Sequence, residues 1–530
     1  MDSTRQSLID EIKKRVQDRI LEQTNADLLI KLITNADSLD EAINIAALGT
    51  TYKRTGLHFD KRLEKMGDEI RYFKKNEKLS FRTDGKKPVN KLIIGDNYQA
   101  LQNLLIQYRG KIDVIYIDPP YGKDSMGEFA KTNYNNAITR DNLLSMLYPR
   151  LVLARQLLSD EGVIFCSIDD KNQAYVKCLF DEIFGEENFI DCLHWKKKKQ
   201  PSFLATHTAK LMEYIIVFAK NKFALNKLSL DTISDSTKKV VNLTNNVSER
   251  LLKKGLRIKI ENSGIIPKGI YRIKTTKIEY LDDVVFENGR TTNDIRIKAQ
   301  FTVSQEKINN FIDEDLLFIT KNKGLRRDIS EEEKNKRKSI TDLLLDWGDN
   351  QDSEKEFSEI FSEKIFEYTK PIKLISNLIK SYYSENEEKI ILDFFAGSGT
   401  TGHAVLDLNK SDGGNRTFIL CQLNEKTDAN PNGIAYDVTS KRLKRIMTGE
   451  CYDGSKDFPW IKDNEPYGGN LDVLEIGEVF NSAPEKGGTP FDVIDETLYG
   501  KEKFQTVKEK IEWVCQNFEK TQSRIPEEEK

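Results

Sequence analysis

Asp118, Pro119, Pro120 and Tyr121 close an apolar run, Ile112–Ile117, and a second apolar run, Ile390–Leu392, closes on Asp393, 275 residues later (393 minus 118). A buried strand that delivers Asp-Pro-Pro-Tyr to its end presents a carboxylate, a prolyl carbonyl with no competing N–H, and an aromatic face. That set suits an exocyclic amino group on a flat base. Such a nitrogen delocalises its lone pair into the ring and becomes nucleophilic only when acceptors hold both of its protons. Asp118 and the carbonyl of Pro119 supply two acceptors that bind developing positive charge better than the neutral ground state, so they act on the barrier and not on affinity alone. Asp118 can also take the released proton, and Tyr121 can stack on a base turned out of a duplex. Taken alone, the tetrapeptide also fits an ordinary turn after a strand.

The second run adds independent information. Asp393, Phe394, Phe395 and Ala396 lead into Gly397-Ser398-Gly399-Thr400-Thr401-Gly402, a G-x-G-x-x-G loop between a strand pattern and a helix pattern. Its glycines permit a tight turn and close approach of a ligand to the backbone. The next apolar run, Phe418–Leu423, ends at Asn424-Glu425, where a carboxylate can accept hydrogen bonds from ribose hydroxyls. A nicotinamide cofactor would be served equally by this loop and Glu425, but it gives Asp-Pro-Pro-Tyr no role. His403 stands where a phosphate-binding loop needs lysine, so the chain shows no ATPase motif.

The elements that position these residues read as strand, helix, strand from Lys91 onward, with strands ending at Asp96, Asp118, Ile168, Asp393 and Glu425. Helices between them imply one doubly wound, mostly parallel α/β sheet covered on both faces. One active site requires the strands ending at Asp118 and Asp393 to be neighbours, with ligands at their carboxyl ends. Residues 1–82 read as a helical region, with a stripe of Leu8, Ile12, Val16 and Ile20 continued by Leu28, Leu29, Leu32 and Ile33. The catalytic unit is expected at 83–195 and 365–450, an insertion at 196–364, and a C-terminal region at 451–530 whose expected role is assembly.

Asp-Pro-Pro-Tyr followed by Asp-x-Phe-x-Gly-Ser-Gly-Thr resembles the S-adenosylmethionine-dependent DNA amino-methyltransferases of the β arrangement, a Rossmann-like fold with permuted motif order. Within that resemblance Asp96 and Asn97, after Leu92-Ile93-Ile94-Gly95, match the strand end that meets the cofactor's adenine. Tyr368-Thr369-Lys370-Pro371 matches the segment enclosing its methionine part. Asp393, Phe394, Ala396, Gly397, Ser398, Gly399, Thr400, Thr401 and Glu425 complete the expected cofactor set. More narrowly, Tyr52 to Leu57, Leu144 to Leu151 with Gly162 to Asp170, and Glu213 to Asn221 resemble the modification (Mod) subunits of type III restriction-modification systems. The resemblance implies adenine N6 as target, a homodimer, double-stranded DNA as substrate and a separate ATP-dependent restriction subunit as partner. A solitary enzyme is the alternative. So is methylation of cytosine N4, whose enzymes more often carry serine in place of Asp118.

The formal net charge of −3 conceals an asymmetry: residues 193–340 hold 31 Lys and Arg against 18 Asp and Glu, or +13, and the remainder holds 51 against 67, or −16. The basic stretch is the one the motifs leave unused, and it is where the resemblance puts target recognition. Lys196, Lys197, Lys198 and Lys199 are its densest run and its candidate phosphate contacts. Short, polar strand patterns with turns near Asn262-Ser263-Gly264 and Asn288-Gly289 suggest a mixed or β-rich module there. Six scattered cysteines without a C-x-x-C pair, and four histidines, argue against a zinc site. The chain lacks a long apolar run and a cleavable signal, so a soluble, cytoplasmic protein is expected.

Overall fold

Ile112–Ile117 is buried at every position, as expected of a strand with packed neighbours on both faces. The computed structural model that contains it describes residues 3–17, 21, 23–48, 69–121, 139–201, 207–230, 237–260, 262–273, 275–334, 338–382, 388–480 and 488–518. Ile20 and the stretch Tyr52 to Leu57 lie outside the described residues. The chain divides into two units, residues 1–60 and 61–530.

In the first unit, helices Ser3–Gln17, Gln23–Asn35 and Leu39–Leu48 pack around Ile9, Ile12, Ala26, Ile33, Ala36, Ala42 and Ala46. The expected stripe is only partly right. Leu28 and Leu32 are exposed, and Ala26 takes the inward position beside Ile33.

The second unit is built on β1 (Glu69–Lys75), β2 (Val89–Ile94), α1 (Asn97–Tyr108), β3 (Ile112–Ile117), α2 (Thr139–Leu157), β4 (Leu158–Ile168), α3 (Gln173–Phe184), β5 (Phe189–Lys196), β6 (Met212–Ala219), α4 (Asn350–Phe361), α5 (Ile372–Ser381), β7 (Ile390–Asp393), α6 (Thr400–Asp412), β8 (Thr417–Gln422), α7 (Lys441–Thr448) and β9 (Asn470–Phe480). Its sheet runs β1, β9, β2, β8, β7, β3, β4, β6, β5 and then the short strand Leu343–Leu344, with Phe81–Arg82 also paired to β9. The six strands from β9 to β4 are parallel. β1 on one side is antiparallel to β9, and on the other β6 is antiparallel to both β4 and β5, while Leu343–Leu344 pairs with β5 in parallel. Leu92, Ile94, Val114, Tyr116, Val163, Phe165 and Leu420 pack on one face with Leu374, Ile375 and Leu378 of α5 and Leu443 and Ile446 of α7. The alternate residues Ile93, Ile115, Ile164 and Ile419 are also buried, so the sheet is doubly covered, and Cys166 and Cys421 are core residues.

β7 and β3 are neighbours, with Ile391 opposite Val114 and Leu392 opposite Ile115. The buried Asp113 carboxylate reinforces the pairing by accepting the N–H of Ile390 at 2.8 Å. β7 connects through α6 to β8 on one side of it, and β3 connects through α2 to β4 on the other. The carboxyl ends of these two strands therefore flank a topological switch point, where the chain diverges and leaves a crevice.

α2 continues unbroken through Pro149. Two segments differ from the sequence reading. β1 lies in the region read as helical. Asn470–Phe480, within the C-terminal region assigned to assembly, is an interior strand of the main sheet, parallel to β2 and antiparallel to β1. Tyr499, farther along the same region, ties β1 to α1: its hydroxyl accepts the Phe73 N–H and donates to Asn103 Oδ1, both at 2.7 Å.

The span 196–364 read as an insertion contributes β6 and Leu343–Leu344 to the main sheet. Between them is a β-rich body of a four-stranded and a seven-stranded sheet, packed around Ile258, Tyr280, Phe286, Ile297 and Ile319. Asn288 and Gly289, both at positive φ, form the two-residue turn joining Val284–Glu287 to Arg290–Thr291, which is the hairpin chemistry their sequence specifies.

Candidate active site

Asp118 follows the last residue of β3, and both of its carboxylate oxygens are engaged. Tyr121 donates its hydroxyl to Oδ1. Lys370 Nζ lies 2.6 Å from Oδ2 and 3.2 Å from the Tyr121 hydroxyl. Lys370 precedes Pro371, the cap residue of α5, so a chain segment 252 positions away (370 minus 118) brings a buried ammonium to the tip of β3. Burial opposes its charge, but Asp118 and Glu213 outweigh burial and hold its pKa above the ordinary lysine value. Burial and the Asp118 charge together push the Tyr121 phenol well above its usual range, so it remains a donor. Asn172 Nδ2 donates to the Tyr121 carbonyl at 2.8 Å and fixes the segment's exit. Pro119 is buried, while Asp118, Pro120 and Tyr121 are half-buried.

Asp393 ends the neighbouring strand. Its carboxylate accepts Thr401 Oγ1 at 2.5 Å and the Phe395 N–H at 3.0 Å, folding the glycine loop back over the strand tip. Burial raises its pKa to about 7 against those two hydrogen bonds, and the charge of Asp118 adds to the rise. Gly397 and Gly399 adopt φ of +52° and +81°, a region that side chains other than glycine's seldom allow. Gly397 is gripped from both sides: its N–H donates to Gln422 Oε1 and its carbonyl accepts Thr439 Oγ1, each at 2.6 Å. Phe394 and Ala396 are buried beside it.

Beneath the loop lies Arg442 of α7, 1% exposed. It donates to Ser398 Oγ and Thr400 Oγ1 at 3.0 Å and meets His403 Nδ1 at 3.2 Å. Burial lowers its pKa to about 10, with Glu356 and Tyr467 working the other way. Burial, then the Arg442 charge, drives the His403 pKa well below its usual value. A guanidinium has only donors, so Nδ1 must accept and Nε2 carries the hydrogen. Nε2 then donates to the Tyr467 hydroxyl at 3.2 Å, which donates onward to Asp407 at 3.2 Å.

The tip of β2 joins the same crevice. Asp96 caps α1 through the Tyr98 N–H at 2.7 Å and pairs with Arg150 at 3.1 Å. Asn97 Nδ2 donates to the Phe394 carbonyl at 2.7 Å, tying this tip to the glycine loop. Arg150 Nε in turn donates to Asn97 Oδ1. Glu425 follows β8 by three positions and is half-buried.

The expected residues thus meet at adjoining strand ends, with one change of surroundings: Lys370, expected against the cofactor, has its ammonium on Asp118. The run at 196–199 is less open than its charge suggested. Lys197 is held by Glu213 at 2.6 Å and Lys199 by Asp349 and Asp352 at 3.3 Å; Lys196 is half-buried in β5, and Lys198 is exposed. Glu213, Arg150 and Arg442 escaped the sequence reading. Glu213 and Arg150 are charges embedded in apolar stretches, which was the available signal; Arg442 is masked by its basic neighbours Lys441, Lys444 and Arg445.

A carboxylate and a glycine loop on adjacent strand tips of a doubly wound sheet define an α/β enzyme with a switch-point site. A sequence-family profile described as DNA methylase matches residues 112–428, spanning both tips, and the chain belongs to that DNA methylase family. A second profile, of an uncharacterised conserved protein, matches residues 5–114. Among curated proteins, the chain is 32% identical to the Mod subunit of the type III restriction-modification enzyme StyLTI of Salmonella typhimurium, over 66% of this chain and 54% of that one. It is 28% identical to the EcoP15I Mod subunit of Escherichia coli, over 72% and 66%. It is also 28% identical to the EcoPI Mod subunit of Escherichia phage P1, over 69% and 63%. The chain therefore spans about half to two thirds of the length of these relatives. Among solved structures, the cytosine-N4-specific PvuII DNA methyltransferase overlaps 70% of this chain and 97% of its own at 12% identity and a TM-score of 0.33.

Proposed function

We propose that the protein transfers a methyl group from S-adenosylmethionine to the N6 amino group of an adenine turned out of double-stranded DNA, as the modification subunit of a type III restriction-modification system. The observation that carries this reading is the pairing of β3 with β7, which sets Asp118 to Tyr121 beside Asp393 and the glycine loop. The donor set fits the cofactor: a tight backbone turn at Gly397–Gly399, and carboxylates at three adjoining strand ends for hydroxyl, amino and ammonium groups. Asp96, Asn97, Asp393, Phe394, Ala396, Gly397, Ser398, Gly399, Thr400, Thr401 and Glu425 would hold it. When bound, it supplies an electrophilic methyl on a sulfonium.

The chain's own residues do the rest. Asp118 and the Pro119 carbonyl hold the two amino protons and so free the nitrogen lone pair for attack. Pro120 keeps the turn rigid, Tyr121 stacks on the base, and Asp118 takes the proton lost from nitrogen once the N–C bond has formed. Phosphate contacts come from the β-rich body. Arg272 lies directly opposite Lys277 in its hairpin, both exposed; like charges so placed weaken a hairpin unless a polyanion is there to meet them. A homodimer and a separate ATP-dependent restriction subunit complete this reading, supported by the relatives' being Mod subunits of such enzymes.

The test is to sequence DNA from cells making the protein by a method that detects modified bases. Methyladenine at a short asymmetric site, on one strand, is expected, and it should vanish in Asp118→Ala. Methylcytosine, or a signal that survives the substitution, would overturn the assignment.

A further inference from the structure

We infer that Glu213 is a positioning residue, the second seat to which Lys370 moves when the target base claims Asp118. The inference rests on the reading of Asp118 as acceptor for the base's amino group. As it stands, Tyr121 engages one oxygen of Asp118 and the Lys370 ammonium the other, so the base's amino group meets a carboxylate whose charge is already neutralised by Lys370. An ammonium left on Oδ2 would also oppose the positive charge that grows on the amino nitrogen as its bond to carbon forms.

The surroundings of Lys370 offer one short move. Glu213 Oε2 lies 3.9 Å from Nζ, against 2.6 Å for Asp118 Oδ2. The side chains of Lys370 and Glu213 are 9% and 11% exposed, so the ammonium would pass between carboxylates without returning to water. A buried ammonium without a partner is strongly disfavoured, so a chain lacking Glu213 would keep Lys370 on Asp118 in competition with the base. Glu213 is held in place for this purpose from two directions. Its backbone pairs with Trp195 across β5 and β6, and its other oxygen accepts Lys197 at 2.6 Å. The aromatic faces of Tyr121 and Trp195, with centroids 5.3 Å and 6.0 Å from Nζ, line the path.

The test measures transfer of tritiated methyl from S-adenosylmethionine to unmodified genomic DNA, for the full chain and for Glu213→Gln alone and combined with Lys370→Met. Cofactor affinity is followed by calorimetry and folding by thermal melting. Glu213→Gln should lower the methylation rate by about tenfold or more while cofactor affinity stays within about twofold, and adding Lys370→Met should raise the rate again, because the competitor is gone. A double variant no faster than Glu213→Gln, or a Glu213→Gln rate equal to wild type, overturns the inference. Should the glutamine variant not fold, the same comparison runs from Glu213→Asp, whose shorter carboxylate withdraws the second seat: its rate should fall, and recover with Lys370→Met. Wild-type protein that fails to methylate, or activity that persists in Asp118→Ala, would sink the underlying reading instead, so the two failures are distinguishable.

Discussion

Ion pairs at the strand tips and on the β-rich body use the same kinds of side chain in opposite surroundings. Lys370 and Asp118 have side chains 9% and 23% exposed, and Arg150 and Asp96 3% and 28%. Arg290 with Asp315 and Arg296 with Asp282 are pairs in which every side chain is about a third to a half exposed. Burying a charge costs several kcal/mol that pairing only partly returns, whereas an exposed pair contributes about 0–1 kcal/mol. The first region therefore keeps charges where they are a burden on stability, which is the pattern of a functional site. The second keeps these two pairs where either can be exchanged at little cost.

Three variants sharpen that contrast. Arg442→Met removes the guanidinium beneath the glycine loop and strands Ser398, Thr400 and His403, so urea denaturation should show a loss of about 3 kcal/mol. Asp393→Asn acts through pH. Asp393 and Glu356 both have pKa values raised to about 7, chiefly by burial. The stability each contributes is complete below the ordinary carboxylate range and is lost as pH rises through about 7. Wild-type stability should therefore fall between about pH 4 and 7 by up to about 1.4 kcal/mol per pH unit for each group, and the asparagine variant should show a shallower fall. Equal slopes for the two proteins would contradict this. The smallest effect on stability is expected on the β-rich body. Arg272→Ala with Lys277→Ala removes a like-charge pair, so the unfolding free energy from urea denaturation should stay level or rise by a few tenths of a kcal/mol. Affinity for duplex DNA should nevertheless fall, with a salt slope shallower by about 2, and cofactor affinity should not change.

The same contrast explains what could be read from the chain. The neighbouring strands β3 and β7 were legible because each end carries its own motif, and a shared site leaves few ways to arrange them. Asn288-Gly289 was legible because a two-residue turn is a local property. Glu213, Arg150 and Arg442 were not, since the meaning of a buried charge depends on a partner that folding brings from far along the chain: Lys370 for Glu213, Asp96 for Arg150, Ser398 for Arg442. Lys370 carried a motif, yet its ammonium faces Asp118, a relation no spacing encodes. Asn470–Phe480 was passed over because Asp472, Glu475 and Glu478 interrupt its apolar residues. Lys75 and Arg82 answer Asp472, Asn76 answers Glu475, and Arg71 answers Glu478, all from the other end of the chain.

The central claim is that two strand tips distant in sequence form one pocket for the methyl donor and the base. A crystal structure of the protein with S-adenosylhomocysteine tests it most directly. The account predicts the ligand in the crevice between β7 and β3, touching both the turn at Gly397–Gly399 and the segment Asp118–Tyr121. A ligand bound elsewhere, or one touching the glycine turn with Asp118 sealed off from it, would contradict the account.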